Sequence, residues 1–191
     1  MLKSIVALVL AAALSSDVWA QAEASPNQPF TLGAAAVRAP RDAGWKIGRR
    51  SDDGIVLSGN TDKVARLAYA RLFEFPPPYD QPSFLAEVKR NVETQIFGRP
   101  GMTMRSVSYQ FSEERGFPCV VTEATVDAEN QPGWPAGYSQ RFHYRLLLCK
   151  VPNAPNQGVL VAFSYTGEHP SRELHVQAED FVNTLSISAG K

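Results

Sequence analysis

Five side chains in this 191-residue sequence are of the types that do chemistry near neutral pH: Cys119, Cys149, His143, His169 and His175. An imidazole exchanges a proton close to neutrality or binds a metal, and a thiolate attacks electrophiles. The cysteines lack the C-x-x-C spacing of a metal or redox site. In an oxidising compartment they are expected to bond to each other, which removes both as nucleophiles. His169 and His175 each precede a glutamate by four positions, Glu173 and Glu179. That spacing can set two ligands on one helix face, but it leaves a coordination shell short, so no metal is expected. The chain has no G-x-S-x-G elbow and no glycine-rich phosphate loop, and no cofactor is implied. His143 is then the imidazole on which a hydrolase or metal-dependent enzyme would be built. Such an enzyme needs a serine or threonine hydroxyl within hydrogen-bond reach of the ring, inside a cleft. The expectation is that none is so oriented.

The elements that must position His143 are two runs, Cys119-Val-Val-Thr-Glu-Ala-Thr-Val-Asp127 and Arg141-Phe-His-Tyr-Arg-Leu-Leu-Leu-Cys149. They read as antiparallel strands joined by the loop 128–140. Setting Cys119 opposite Cys149 fixes the register. Val120, Thr122, Ala124 and Val126 then face Leu148, Leu146, Tyr144 and Phe142. On the other side Glu123 meets Arg145, Thr125 meets His143 and Asp127 meets Arg141. A shift of one residue would scramble these faces. His143 is therefore expected on a mainly polar strand surface of paired charges, with Arg141 and Arg145 beside it as candidate anion-binding residues. Trp134, bracketed by Gly133 and Pro135 in the connecting loop, is the other binding candidate, because a stiffened aromatic anchor suits an interface. Its bland alternative is an indole folded back on the sheet edge.

The rest of the chain supplies the frame. Lys3, the apolar run Ile5 to Leu14 and Val18-Trp-Ala20 have the three parts of a secretory signal with cleavage after Ala20. The apolar run is too short for the roughly 20 residues that a membrane-spanning helix needs, so no span is expected after cleavage. Residues 21–29 read as a disordered leader and 30–188 as a single domain. Trp45 to Arg50 and Ile55 to Ser58 flank the turn Ser51-Asp-Asp-Gly54 as a hairpin, and Trp45 is expected in the core. A strand over 64–75 ends at Pro76-Pro-Pro78, a semi-rigid connector. Pro82 to Phe97 carries Phe84, Leu85, Val88, Val92 and Ile96 on one helical face. Val107, Tyr109 and Phe111 alternate with serines in a further strand. Gly158 to Tyr165 is expected as a strand pairing Val159, Val161 and Phe163 with Leu148, Leu146 and Tyr144. Ser171 caps a last helix whose Leu174, Ala178, Phe181, Val182 and Leu185 face the core.

This order gives an α+β fold, an antiparallel sheet of about seven strands with two main helices packed on it. Over about residues 30 to 188 the order of elements resembles the PsbP-like superfamily. What the resemblance implies is a layered domain with a binding or assembly role, of the kind found in exported bacterial members of unassigned function. It rests on no motif, so no site residue is carried over.

Formal net charge is zero, which removes the basic field that nucleic-acid binding requires. The functional expectation is an exported, periplasmic or secreted, non-catalytic binding or assembly module. Its partner would be a protein or small ligand of the cell envelope. The alternative is a hydrolase or metal-dependent enzyme centred near His143.

Overall fold

The computed structural model describes residues 22–61, 63–75, 80–154 and 156–188. The expected signal segment and the Pro76-Pro-Pro78 connector lie outside them. Among the described residues six strands precede the first helix: β1 (Glu23–Ala24), β2 (Pro29–Leu32), β3 (Ala35–Arg38), β4 (Trp45–Ser51), β5 (Gly54–Ser58) and β6 (Arg66–Glu74). Helix α1 (Gln81–Asn91) runs into a π-helical turn at Val92–Ile96. Then come β7 (Met102–Ser112), β8 (Cys119–Glu129), β9 (Ser139–Lys150), β10 (Gln157–Thr166), helix α2 (Arg172–Asn183) and β11 (Ser186–Ile187). The main sheet has eight strands, in the order β1-β4-β5-β6-β10-β9-β8-β7, where about seven were expected. A second sheet is ordered β11-β3-β2.

Capping fixes both helix starts. The Asp80 side chain accepts from the Ser83 N–H, and Ser171, the expected cap, accepts from the Leu174 N–H. At the end of α1 the Phe97 N–H donates to Val92 O, five residues back, which is the π-type bond of that turn.

The β8–β9 hairpin has the register read from the sequence. Cys119 and Cys149 are bonded, Glu123 lies opposite Arg145, and Asp127 lies opposite Arg141. The β4–β5 hairpin closes through Ser51 and Gly54 as expected. From Ser106 to Ser112, β7 sets Val107 opposite Ala124 and Phe111 opposite Val120, matching apolar faces.

Both faces of the sheet are covered, because successive residues of its central strands are apolar on both sides. Phe84, Val88 and Val92 of the α1 segment pack with Val120, Ala124, Val126, Leu146 and Leu148. On the opposite face Ala178, Phe181 and Val182 of α2 join Phe30, Leu32 and Val37 of the second sheet over Leu147, Val159, Val161 and Phe163. Trp45 is fully buried there. It meets Phe163 edge-on, and its indole N–H donates to Asp42 Oδ1 at 3.0 Å.

Three expectations are corrected. β10 is shifted by one residue: Val159, Val161 and Phe163 oppose Cys149, Leu147 and Arg145, not Leu148, Leu146 and Tyr144. With both faces buried, an apolar match does not select one parity, and tight packing decides instead. Gly158 sits opposite Phe73, where a Cβ would come within 2.7 Å of the Phe73 ring. Secondly, the stretch 22–28 is docked: Glu23 and Ala24 pair with Lys46 and Trp45, and Ala24 is buried. Thirdly, the His143 side of β9 is not an open polar surface. The α2 layer and the residues after β10 close over most of it.

Candidate functional site

β9 presents His143 on the α2 side, between Thr125 of β8 and Tyr165 of β10. The imidazole is only 6% exposed and lies 5.0 Å from the Tyr165 ring. Its Nε2 is 3.0 Å from the carbonyl oxygen of Gly167. A carbonyl only accepts, so Nε2 carries the proton and donates. Nδ1 is then the acceptor, and the Thr125 hydroxyl, 3.2 Å away, donates to it. Burial lowers the His143 pKa against the opposing effect of the Gly167 bond, with smaller contributions from Arg141 and His169. Burial favours the neutral ring, and the two hydrogen bonds select its Nε2–H tautomer.

Beside it, Asp127 organises two guanidinium groups. Arg141 Nε donates to Oδ1 at 2.7 Å, and Arg105 Nε donates to Oδ2 at 2.6 Å. Arg141 Nη1 also donates to the backbone oxygen of Glu168 at 2.9 Å, tying β9 to the segment after β10. The paired cations, Arg141 first, hold the Asp127 carboxyl well below its usual range, at about 2. Arg105 reaches this carboxylate because of a bulge. Met104 pairs with Val126 and Ser106 with Thr125, which leaves Arg105 as the extra residue. Its side chain is 59% exposed.

An open hollow of about 290 Å³ is lined by Arg105, Ser106, Thr125, Arg141, His143, Glu168, His169 and Pro170. Arg141 and His143 were singled out from the sequence. His169 was weighed only as a metal ligand with Glu173, and Arg105, Ser106 and Glu168 were not singled out, because the bulge and the turn after β10 leave no trace in hydrophobic alternation.

The other two candidates lie elsewhere. Arg145 is on the same side of β9 but further under α2. It pairs with Glu123 and is 3.5 Å from Glu179, while Glu123 is also 3.6 Å from His175 Nε2. The Arg145 side chain is 15% exposed and its Nε is buried with no hydrogen-bond partner. Trp134 is on the opposite side of the sheet, half-buried, stacked on Phe142 with centroids 6.3 Å apart and edge-on to Tyr138 at 5.0 Å. The indole is folded back as the bland alternative had it. His169 precedes α2, so it does not share a helix face with Glu173. Among the described residues no three His, Cys, Asp or Glu side chains gather as a metal site.

The expectation that no hydroxyl faces His143 fails, since Thr125 does so at the edge of the hollow. Proton transfer from Thr125 to a neutral imidazole is therefore geometrically available. What orients the ring from behind is a backbone carbonyl and not a carboxylate. Asp127, the carboxylate next along β8, is occupied by the two arginines. The hollow offers pinned cations and hydrogen-bond donors, which suits recognition of a polar group.

No family model matches the chain, and no curated protein is similar to it in sequence. Among solved structures it is similar in arrangement to the Saccharomyces cerevisiae Ran-binding protein Mog1p. The identity is 11% and the TM-score 0.47, over 87% of this chain and 96% of that one. A mutant of protein Mog1 gives 13% identity and a TM-score of 0.48, over 84% and 95%. At these values the likeness says nothing of a partner for this chain.

Proposed function

We propose that the chain is an exported binding module of the PsbP-like type, and that the hollow beside His143 takes a polar group of an envelope protein or small ligand. The observation that carries this reading is the pinning of Arg141 and Arg105 by one carboxylate at the rim of an open hollow. Recognition gains when donors are held in place before the ligand arrives. The bonded cysteines support an oxidising compartment and so support export.

The test is capture from a native envelope extract by immobilised protein, compared with an Arg105→Ala variant. Arg105 is exposed, so the fold should survive its loss. The expected result is a retained species that the variant loses. Retention of nothing above background, or equal retention by both, sinks the reading.

One observation favours a second reading, the contact between Thr125 Oγ1 and His143 Nδ1. In a hydrolase, Nδ1 would take the hydroxyl proton as Oγ1 attacks an ester carbonyl. The alcohol would leave with that proton, and water would then release the acid and restore Thr125. Hydrolysis of p-nitrophenyl acetate that Thr125→Val abolishes, with the circular dichroism spectrum unchanged, would replace the binding reading by this one.

A further inference from the structure

β7 closes one end of the main sheet, and among the described residues it pairs only with β8. Its outward N–H and C=O groups are thus a template for another strand. The remaining sheet ends are blunted. β1 and β11 are two residues each, and β2 is four residues beginning at Pro29. β7 is eleven residues, Met-Thr-Met-Arg-Ser-Val-Ser-Tyr-Gln-Phe-Ser, without proline or lysine. Its one charge, Arg105, is engaged by Asp127, and its one bulge lies near its start. Ser106 to Ser112 is left as a regular, uncharged edge. Ser108 and Gln110 are exposed on one face, and Val107, Tyr109 and Phe111 are half-buried on the other. On that second face α1 lies alongside without displacing the strand: Tyr109 donates to Glu93 Oε1 at 3.1 Å, and Lys89 stands over its ring.

We infer that this edge pairs antiparallel with β7 of a second copy, joining two sheets into one continuous sheet about a two-fold axis. The sequence pattern chooses this occupant. With the axis at Tyr109, Ser108 of one copy faces Gln110 of the other and Val107 faces Phe111, so polar meets polar and apolar meets apolar from Ser106 to Ser112. Formal net charge is zero, and copies approach without mutual repulsion.

Sedimentation velocity from nanomolar to submillimolar protein tests the inference. The expected result is a dimer that dissociates on dilution. The double variant Ser108→Lys/Gln110→Lys sets lysine against lysine across the axis, and it is expected to be monomeric with unchanged thermal melting. Hydrogen exchange on the unmodified chain gives an independent reading should that variant fail to fold. The outward-facing amides of 107–111, those not bonded to β8, are expected to exchange more slowly at high protein concentration than at low. A chain that is monomeric throughout, a dimer that survives the double substitution, or β7 amides whose exchange ignores concentration would each overturn the inference, the first leaving a foreign extended peptide as the edge's occupant.

Discussion

Leu146 and Leu147 are neighbours in sequence on β9, and they are expected to be equally indispensable for opposite reasons. Leu146 is 2% exposed in the layer beneath α1, and Leu147 is 1% exposed in the layer beneath α2 and the small sheet. Truncating either to alanine removes buried methyl groups and leaves a cavity. Their cross-strand neighbours, Thr122 and Ala162 for Leu146 and Val121 and Val161 for Leu147, are fixed in the ladder and cannot move in to fill it. Each substitution should therefore cost about 2–5 kcal/mol, the range for a leucine in a packed core. For a domain of this size that is a fall in melting temperature of roughly 4–20 °C. Urea unfolding followed by circular dichroism, with the disulfide intact, measures both variants on one scale. A sheet with one solvated face would put one leucine in water. If either variant stays within about 0.5 kcal/mol of the parent, the value usual for a surface position, the two-sided core is refuted.

Replacing Cys119 and Cys149 by serine should cost roughly 3–4 kcal/mol through the loop the bond closes, and unreduced protein should weigh two hydrogens less than its sequence mass. An intact mass without that deficit would remove the bridge. Asp127, with its pKa lowered to about 2 by Arg141 and Arg105, contributes stability that is present above the unfolded carboxyl value and is lost as pH falls from about 4 towards 2. Because Arg105 is largely exposed, solvent screening reduces that contribution to about 1 kcal/mol. Acid titrations of the parent and Asp127→Asn should converge below this window and diverge above it; parallel curves would contradict the ion-pair account.

The β8–β9 register was legible because two signals, the cysteine pair and the Glu123/Arg145 and Asp127/Arg141 charge pairs, demand the same alignment. β10 offered no such agreement. Val159, Val161 and Phe163 alternate with Gly158, Leu160 and Ala162, so both of its faces are apolar enough to be buried, and a one-residue slip cannot be seen in composition. That slip also hid the depth of His143. Once β10 places Tyr165 beside it and the chain continues through Gly167, a residue expected among surface charges lies under the next layer. The polar residues of that side remain as ion pairs around a half-buried Arg145. Likewise Phe30 and Leu32 alternate with exposed Pro29 and Thr31 over only four positions, too short a run to announce the second sheet. Ala24 is placed in the core by a two-residue strand pairing, which composition does not record.

The site rests on a neutral His143 held between Thr125 and Gly167 at the floor of the hollow, and imidazole nitrogen NMR across a pH titration examines that directly. The expected result is an Nε2-protonated ring at neutral pH, with Nδ1 as the acceptor and a titration midpoint below the ordinary histidine value. A His143 that is positively charged at pH 7, or one that carries its proton on Nδ1, would contradict the arrangement from which the function was argued.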